Sequence, residues 1–239
     1  MEFRDELREA AKAYGTPIDA EQTECFNKYY ELLLEWNEKI NLTAITNPKE
    51  VAVKHVVDSL SAFDPSLFHE NVHVIDVGTG AGFPGLALKI YYPSMKLVLL
   101  DSLQKRINFL KNVVSELGLS DVDCVHARAE EAGRQKEYRE QFDVVLARAV
   151  ARLSVLAEYT LPFARVGGVL LALKGARYME EMEEAEKAAH ILGGGKPVAR
   201  AVKLPGLDDG RAIVRIDKNA PTPAAYPRKS GTPEKKPLG

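Results

Sequence analysis

Cysteine and long apolar runs are both scarce in this 239-residue chain. Its two cysteines, Cys25 and Cys124, lie far apart and form no C-x-x-C pair. This argues against a disulfide framework and a thiolate zinc site, so we expect no bound metal. The longest apolar run, around Val169 to Leu173, is far too short to span a bilayer, and the first residues are charged. We therefore expect a cytoplasmic protein without a membrane partner.

A large excess of one charge is also missing. The chain has 32 basic and 34 acidic residues, so its net charge of -2 gives no overall attraction to nucleic acid or to an anionic membrane. The charges are unevenly distributed, because residues 196–239 contain ten Lys or Arg and only four acids. A protein with this distribution can still present a basic edge to a polyanion.

The first 64 residues have the hydrophobic period of helices. Apolar residues recur at steps of three and four between Phe3 and Tyr14 and again between Phe26 and Ile40. A third helix is predicted after Asn47, which can cap it, because Pro48 then occupies a position where no amide partner is lost. We predict an N-terminal helical cap over residues 1–64.

The pattern changes beyond residue 64 to short apolar runs that alternate with longer helical segments. Runs bounded by Gly, Pro or Asp are typical of strands buried on both faces. They are Val72–Val77, Leu97–Leu100, Val122–Val125, Phe142–Leu146 and Val169–Leu173. Helices such as Leu103–Leu117 would supply the crossovers of a parallel sheet. This alternation predicts a doubly wound α/β domain over residues 65–217.

The end of the chain departs from this alternation. Two extended segments, Val198–Leu204 and Ala212–Ile216, are joined too closely for a helix to lie between them, which predicts an antiparallel hairpin at the end of the sheet. Residues 218–239 are basic and rich in proline, with no hydrophobic period. We expect this tail to be mobile or wrapped on the domain.

The strongest motif is a glycine-rich loop at the end of the first predicted strand. Gly80, Gly82 and Gly85 match the dinucleotide pattern G-x-G-x-x-G, whereas Asp76 with Gly78, Gly80 and Gly82 matches the D-x-G-x-G-x-G of S-adenosylmethionine (SAM) enzymes. The acid at the strand end favours SAM, because a carboxylate would repel a pyrophosphate but attract a cationic amine and sulfonium. We expect Asp76, Gly78 and Gly80 to bind this cofactor.

Further candidates follow the next three predicted strands. Asp101 ends the second strand, where an acid can accept hydrogen bonds from both ribose hydroxyls, or it can cap the next helix. Ala129 and Glu130 follow the third strand, where adenine would lie, although Glu130 could equally begin a helix. Arg148 follows the fourth strand and faces the ligand crevice by topology, with a surface salt bridge as the alternative.

These residues resemble the bacterial glucose-inhibited division protein B family (GidB, also RsmG), the guanine-N7 methyltransferases of small-subunit ribosomal RNA. The similarity extends over most of the chain. It includes Trp36-Asn37, Ile40 to Ile45, His55, Asp58 to Leu60, Asp76 to Ile90, Asp101-Ser102, Lys105-Arg106, Phe109-Leu110, Arg128 to Glu130, Ala147 to Ala149, Gly167-Gly168 and Lys174-Gly175.

The resemblance implies a class I SAM-dependent methyltransferase fold, Rossmann-like, with a seven-stranded mixed sheet, helices on both faces and an N-terminal helical extension. It also implies SAM contacts at Gly78, Phe83, Asp101, Ala129-Glu130 and Arg148, and methylation of one guanosine in 16S rRNA. We expect a monomer that acts on this RNA, within the small ribosomal subunit or a precursor of it.

The chemistry of guanine N7 agrees with this implied substrate. N7 has an exposed lone pair and no proton to remove, so an enzyme needs in-line placement of the methyl group and no general base. We therefore expect Arg148 to have a positioning role, near guanine O6, a contact that arginine favours. His55 and Asp58 are interpreted as a structural pair, and Trp36 as a core residue rather than a platform for base stacking.

RNA contacts are less well determined by the sequence, and ordinary solvated side chains account for part of the basic set. The candidates are Lys105, Arg106, Lys174, Arg177, Lys203, Arg211, Arg215, Arg228, Lys229, Lys235 and Lys236. Two alternatives to a methyltransferase stay open. One is an NAD-dependent oxidoreductase. The other is a non-catalytic RNA-binding or ribosome assembly factor that keeps a relic SAM pocket.

Overall fold

The computed structural model describes residues 2–239, which begin with a group of helices. These are α1 (Phe3–Tyr14), α2 (Ala20–Ile40), α3 (Pro48–Val51), a π-helical turn (Ala52–Val57) and α4 (Asp58–Leu60). Asp19 and Gln22 form a capping box at the start of α2, and Asn47 caps α3 through the backbone N–H groups of Lys49 and Glu50. Within residues 2–239, no helix is both long and apolar enough to cross a membrane.

A seven-stranded mixed sheet follows, as predicted. Its strands are β1 (His73–Val77), β2 (Lys96–Asp101), β3 (Val122–His126), β4 (Phe142–Arg148), β5 (Ala164–Lys174), β6 (Val198–Val202) and β7 (Arg211–Asp217). The order is β3-β2-β1-β4-β5-β7-β6. The first five strands are parallel, and β7 pairs antiparallel with both β5 and β6. The predicted hairpin therefore exists, with its second strand inserted next to β5.

Helices cover both faces of this sheet. They are α5 (Gly85–Tyr91), α6 (Gln104–Glu116), α7 (Ala129–Ala132), α8 (Leu153–Thr160), α9 (Tyr178–Ile191) and α10 (Thr232–Lys235). Alternate strand residues point to opposite faces, so Val74 packs with α5, α6 and the N-terminal helices while Ile75 packs with α8 and α9. The continuous apolar runs of the sequence follow from this double burial.

The N-terminal helices share a hydrophobic core with one face of the sheet. Phe26, Tyr29 and Leu33 of α2 are almost fully buried in the same cluster as Leu86 and Phe109. Burying an aromatic or leucine side chain contributes about 2 kcal/mol relative to leaving it exposed. The α2 helix is therefore held by contacts with the sheet domain itself.

The tail after β7 packs against the domain. Lys218 is buried and donates hydrogen bonds to the carbonyl of Leu161 (2.7 Å) and to the hydroxyl of Thr222 (2.6 Å). The guanidinium of Arg139 donates to the carbonyls of Thr222 (2.7 Å) and Tyr226 (2.8 Å). Of the two states expected for residues 218–239, the structure has the wrapped one.

Candidate functional site

The glycine-rich loop follows β1 at the carboxyl edge of the sheet. The backbone N–H groups of Gly78 and Thr79 donate to the carbonyl of Leu100 at 2.8 and 3.1 Å, which ties the start of the loop to β2. Gly82 has φ +96°, and a Cβ there would lie 2.5 Å from the Tyr29 hydroxyl. That hydroxyl donates a short hydrogen bond to the carbonyl of Ala81, so α2 holds the loop from its outer side.

Asp76 lies beneath the loop and is fully buried. Its Oδ2 accepts hydrogen bonds from the Thr79 hydroxyl at 2.7 Å and from the Gly85 N–H at 2.8 Å. Its Oδ1 is buried without a hydrogen-bond partner among residues 2–239. Burial raises the pKa of Asp76 to about 6, although the two hydrogen bonds act in the opposite direction. The carboxylate shapes the loop and puts negative charge directly below it.

Asp101 ends β2; its contact with ribose stays a prediction, and the alternative of a helix cap is wrong because α6 begins after Leu103 without a side-chain cap. Its Oδ1 accepts from the Leu103 N–H at 2.9 Å, which supports the turn into α6. Its Oδ2 accepts from the Gly80 N–H at 2.9 Å and lies 3.3 Å from Nη1 of Arg106. The carboxylate is buried and borders a cavity, so its backbone contacts fix its orientation in the cavity wall.

This cavity, called the strand-end cavity below, has a volume of about 180 Å³. It lies at the carboxyl ends of β1, β2 and β3, where ligands bind in open α/β sheets. It brings together the predicted Gly78, Asp101, Ala129 and Glu130. Its lining is Val77, Gly78, Leu100, Asp101, Ser102, Ala127, Arg128, Ala129, Glu130, Val150, Tyr159, Gly231 and Glu234.

A second cavity, the loop cavity, lies on the other side of Gly78 and has a volume of about 190 Å³. It contains the predicted Gly80, Phe83 and Arg148, together with residues of the segment that connects α2 to α3. Its lining is Leu42, Thr43, His55, Gly78, Thr79, Gly80, Ala81, Phe83, Arg106, Arg148 and Ala149. Gly78 is thus the residue at which the strand-end cavity and the loop cavity meet.

Arg148 connects the loop cavity to a third one, the cationic cavity, which has a volume of about 280 Å³. Its Nη1 donates to Asp58 Oδ2 at 3.0 Å and to the Lys54 carbonyl at 3.1 Å, and its guanidinium lies 5.3 Å from the centre of the Phe83 ring. The cationic cavity is lined by Ile45, Lys54, His55, Asp58, Arg148, Ala149, Leu173, Lys174, Gly175 and Arg211. Arg148 therefore forms the ion pair that was the alternative, with Asp58. This ion pair is mostly buried, and Arg148 borders both cavities.

The backbone next to Arg148 is strained. Ala149 has φ +54°, a left-handed conformation that costs a residue with a Cβ about 1–2 kcal/mol. Ala149 borders both the loop cavity and the cationic cavity. A strained residue between two cavities is typical of a functional site.

The expected pairing of His55 with Asp58 is wrong. His55 Nε2 lies 2.9 Å from the Thr43 hydroxyl, whereas Asp58 binds Arg148 and Arg211, the latter at 3.1 Å. The physical reason is the π-helical turn over Ala52–Val57, which changes the angular spacing of side chains from that of an α-helix. Burial, followed by the nearby Arg148, lowers the pKa of His55 to about 4, so this imidazole is neutral at pH 7.

The basic candidates divide into paired and exposed groups. Arg106, Lys174, Arg211, Arg215 and Arg228 form ion pairs with carboxylates. Across residues 2–239, no ion-pair partner is found for the other six, which are exposed: Lys105, Arg177, Lys203, Lys229, Lys235 and Lys236. Trp36 is half-buried, and its indole N–H donates to Asn112 at 3.0 Å.

Several residues of the site could not be identified from the sequence motifs. Tyr29 and Thr43 come from the N-terminal helical segment, and Tyr159 lies on α8. Gly231 and Glu234 come from the tail. Each lies far along the chain from the glycine loop, and only the fold brings them to it.

The cavities fit an elongated ligand with an adenosine in the strand-end cavity and an amino-acid end in the loop cavity, where Arg106 and Arg148 suit its carboxylate. A Cβ on Gly78 would lie 2.7 Å from Val150, so the passage between the strand-end cavity and the loop cavity depends on that glycine. The strand-end cavity has carboxylate acceptors for ribose and adenine N–H and O–H groups. The unpartnered Oδ1 of Asp76 lies below the loop, where it attracts a cation. These features match SAM better than a pyrophosphate.

Comparison with known proteins agrees with this geometry. A family model described as GidB, rRNA small subunit methyltransferase G, matches residues 22–204. The chain is 49% identical over 238 residues to ribosomal RNA small subunit methyltransferase G of Alkaliphilus metalliredigens, with 100% of both chains covered. It is 53% identical over 225 residues to the protein of the same name from Exiguobacterium sibiricum, with 94% of each chain covered.

A solved structure shows the same fold. The apo form of the S-adenosylmethionine-dependent methyltransferase SibL matches with a TM-score of 0.55 and 14% identity, over 81% of this chain and 74% of that chain. The expected class I methyltransferase fold, with its seven-stranded mixed sheet, is thereby confirmed. From the family match and the two full-length relatives together, we conclude that this chain belongs to the rRNA small subunit methyltransferase G family.

Proposed function

We propose that this protein methylates N7 of one guanosine in 16S rRNA, with SAM as the methyl donor. It acts in the cytoplasm as a monomer, on the small ribosomal subunit or a precursor of it. The family match supports methyl transfer and favours neither the oxidoreductase nor the relic-pocket alternative. The observation that carries the proposal is the position of Arg148 on the border between the loop cavity and the cationic cavity.

The cofactor would occupy the two cavities that meet at Gly78. When bound, it supplies an electrophilic methyl group on a sulfonium. Asp101 accepts hydrogen bonds from the ribose, and the segment Ala129-Glu130 contacts the adenine. Gly78 and Gly80 let the backbone approach the ligand closely, Phe83 forms an apolar wall, and Asp76 holds the loop and attracts the cationic end.

The target guanine would enter the cationic cavity. Arg148 Nη1 is held by Asp58 and the Lys54 carbonyl, so the guanidinium is fixed before the substrate arrives. Arginine donates readily to guanine O6. A contact with O6 leaves the neighbouring N7 lone pair free to face the loop cavity.

Methylation at guanine N7 does not require the protein to remove a proton. The neutral His55 lies beside Arg148, where a second positive charge would repel the guanidinium, so its low pKa preserves the site at pH 7. The contribution of the chain to the rate is orientation and exclusion of water, which is sufficient for a nucleophile that already carries its lone pair.

Phosphate contacts would come from the exposed basic residues around this edge. Lys105 follows β2, Arg177 follows β5 and Lys203 follows β6, and all three strands end at the carboxyl edge of the sheet. Replacing any one of them with alanine should weaken RNA binding and reduce the slope of log K against log salt concentration by about 1.

The decisive experiment measures methyl transfer by the purified protein from radiolabelled SAM to naked 16S rRNA and to small subunits, with mapping of N7-methylguanosine. With saturating SAM, Arg148→Ala should reduce the single-turnover rate by about 100-fold, because misplacement of a reacting group by about 1 Å has such an effect. Arg165→Ala is the matched control, since Arg165 pairs with Asp143 at the opposite edge of the sheet.

Two results would contradict the proposal. A native rate in Arg148→Ala would remove the positioning role of this arginine. Methylation of an exocyclic amine or of a ribose oxygen instead of N7 would require a different arrangement at Arg148, because both of those groups carry a proton that must leave.

A further inference from the structure

The tail returns to the strand-end cavity after leaving the sheet at β7. Gly231 and Glu234 border this cavity together with Asp101 and Glu130. The tail therefore contributes a wall to a cavity whose other walls come from α8 and from the loops after β1, β2, β3 and β4.

A buried ion pair anchors the tail next to this wall. Glu158 on α8 has no exposed surface, and its carboxylate accepts from the backbone N–H of Arg228 at 2.7 Å and from Nε and Nη2 of the same residue at 2.9 and 2.5 Å. The guanidinium also donates to the Lys236 carbonyl at 2.8 Å, across the turn that contains Glu234. A carboxylate buried to this degree is stable only with its partner present, so the position of the tail is determined by the core.

Glu130 links the tail to the cavity directly. Its Oε1 accepts a hydrogen bond from the Gly231 N–H at 3.0 Å. The carboxylate that is predicted to lie near adenine therefore also binds the tail. Glu234 is the additional carboxylate on the same wall.

Tyr159 borders the strand-end cavity together with Glu130 and Glu234. Its side chain is buried. Burial raises the pKa of the Tyr159 hydroxyl to about 12, and the carboxylates of Glu130, Glu234 and Glu158 add to this effect. Such a group of acceptors suits a ligand end that carries N–H and O–H donors, and it repels phosphate.

We propose that residues 231–234 are part of the SAM site and that Glu234 is a further cofactor-binding residue, which accepts a hydrogen bond from the adenosine. The inference rests on the proposed position of adenosine in the strand-end cavity. The exocyclic amine of adenine and the ribose hydroxyls are the donors available at that end of the cofactor. Asp101 serves the ribose, and Oε1 of Glu130 already accepts the Gly231 N–H, so Glu234 is the carboxylate available for the adenine amine.

The test is titration calorimetry of the full-length protein and four variants with SAM and with 5′-methylthioadenosine, which has the adenosine without the amino acid. Glu234→Ala and deletion of residues 231–239 should each raise the Kd about tenfold or more, as expected for a lost hydrogen bond to a charged group. The increase should be equal for both ligands, because the tail contacts only their common part. Glu137→Gln, which changes an exposed acid outside the cavities, is the control and should bind normally.

Glu234→Gln keeps an acceptor oxygen and should restore most of the affinity lost in Glu234→Ala. This variant decides the question even if the deletion prevents folding. Native Kd values for Glu234→Ala would overturn the inference, and so would a loss confined to SAM. If Glu234→Ala binds SAM with the native Kd and still produces N7-methylguanosine at the native rate, only the proposed role of the tail fails and the proposed function stands.

Discussion

His55 makes the stability of this protein depend on pH in a way that can be calculated. The imidazole is buried between Arg148, the Thr43 hydroxyl and the Phe83 ring, whose centre is 4.9 Å away. Its pKa of about 4 in the folded protein compares with an ordinary value of 6.5, because burial and then Arg148 disfavour the protonated form. The unfolded chain therefore binds a proton at a higher pH than the folded protein does.

The sign of the effect follows from this difference. Because the folded pKa is depressed, the contribution is fully present above pH 6.5 and is lost as the pH falls toward 4. Relative to pH 7, His55 should remove about 2 kcal/mol from the free energy of unfolding at pH 5 and about 3 kcal/mol at pH 4. Asp76, whose folded pKa is raised to about 6, acts in the opposite direction, so the comparison must isolate His55.

The measurement is urea unfolding at pH 7, 6 and 5 of the native protein and of His55→Gln. The variant should be less stable at pH 7, since it loses the ring contact with Phe83, but the difference should shrink by about 2 kcal/mol at pH 5. His73→Gln, at an exposed position, is the control and should leave the pH profile unchanged. A constant difference between native protein and His55→Gln from pH 7 to pH 5 would refute the reasoning.

Two further predictions concern the glycine loop. Asp76→Asn keeps an acceptor oxygen for Thr79 and Gly85 but removes the negative charge. Calorimetry should therefore show that the Kd of SAM rises about tenfold more than the Kd of adenosylhomocysteine, whose sulfur is neutral. Equal changes in the two Kd values would contradict the attraction of the sulfonium by Asp76. Gly82→Ala should lower the free energy of unfolding by about 2–3 kcal/mol more than Gly118→Ala. Both glycines have positive φ, but a Cβ meets the Tyr29 hydroxyl only at Gly82, whereas nothing lies within 4 Å at Gly118; equal denaturation midpoints would show that the contact is harmless.

The sheet was predictable because its signals are local. Each of the five parallel strands is a short apolar run, and each run lies within one or two residues of an observed strand or inside it. The carboxyl edge of a parallel sheet then brings Asp76, Asp101, Glu130 and Arg148 to one side from topology alone. The insertion of β7 beside β5 was not predictable, since the hairpin could have paired through either strand.

The contacts among side chains were harder to predict. His55 and Asp58 have the spacing of an α-helical pair, but nothing in the sequence marks the π-helical turn that separates them. The position of Glu130 after the third strand predicts a place near adenine, yet its hydrogen-bond partner Gly231 lies about a hundred residues later, in a segment without a hydrophobic period. Contacts of this kind depend on packing between distant segments, which local patterns do not encode.

The hydroxyl of Tyr29 gives the first helices a role beyond covering the sheet. This hydroxyl donates a hydrogen bond to the carbonyl of Ala81, and the Tyr29 ring stacks on the Phe83 ring with centres 5.0 Å apart. A shortened protein that starts at β1 would keep every glycine of the motif but lose the Tyr29 contacts that support the conformation of the loop. The amino-terminal helices are therefore a structural part of the ligand pocket. Fraying of α2 would lower the affinity of the pocket for a nucleoside.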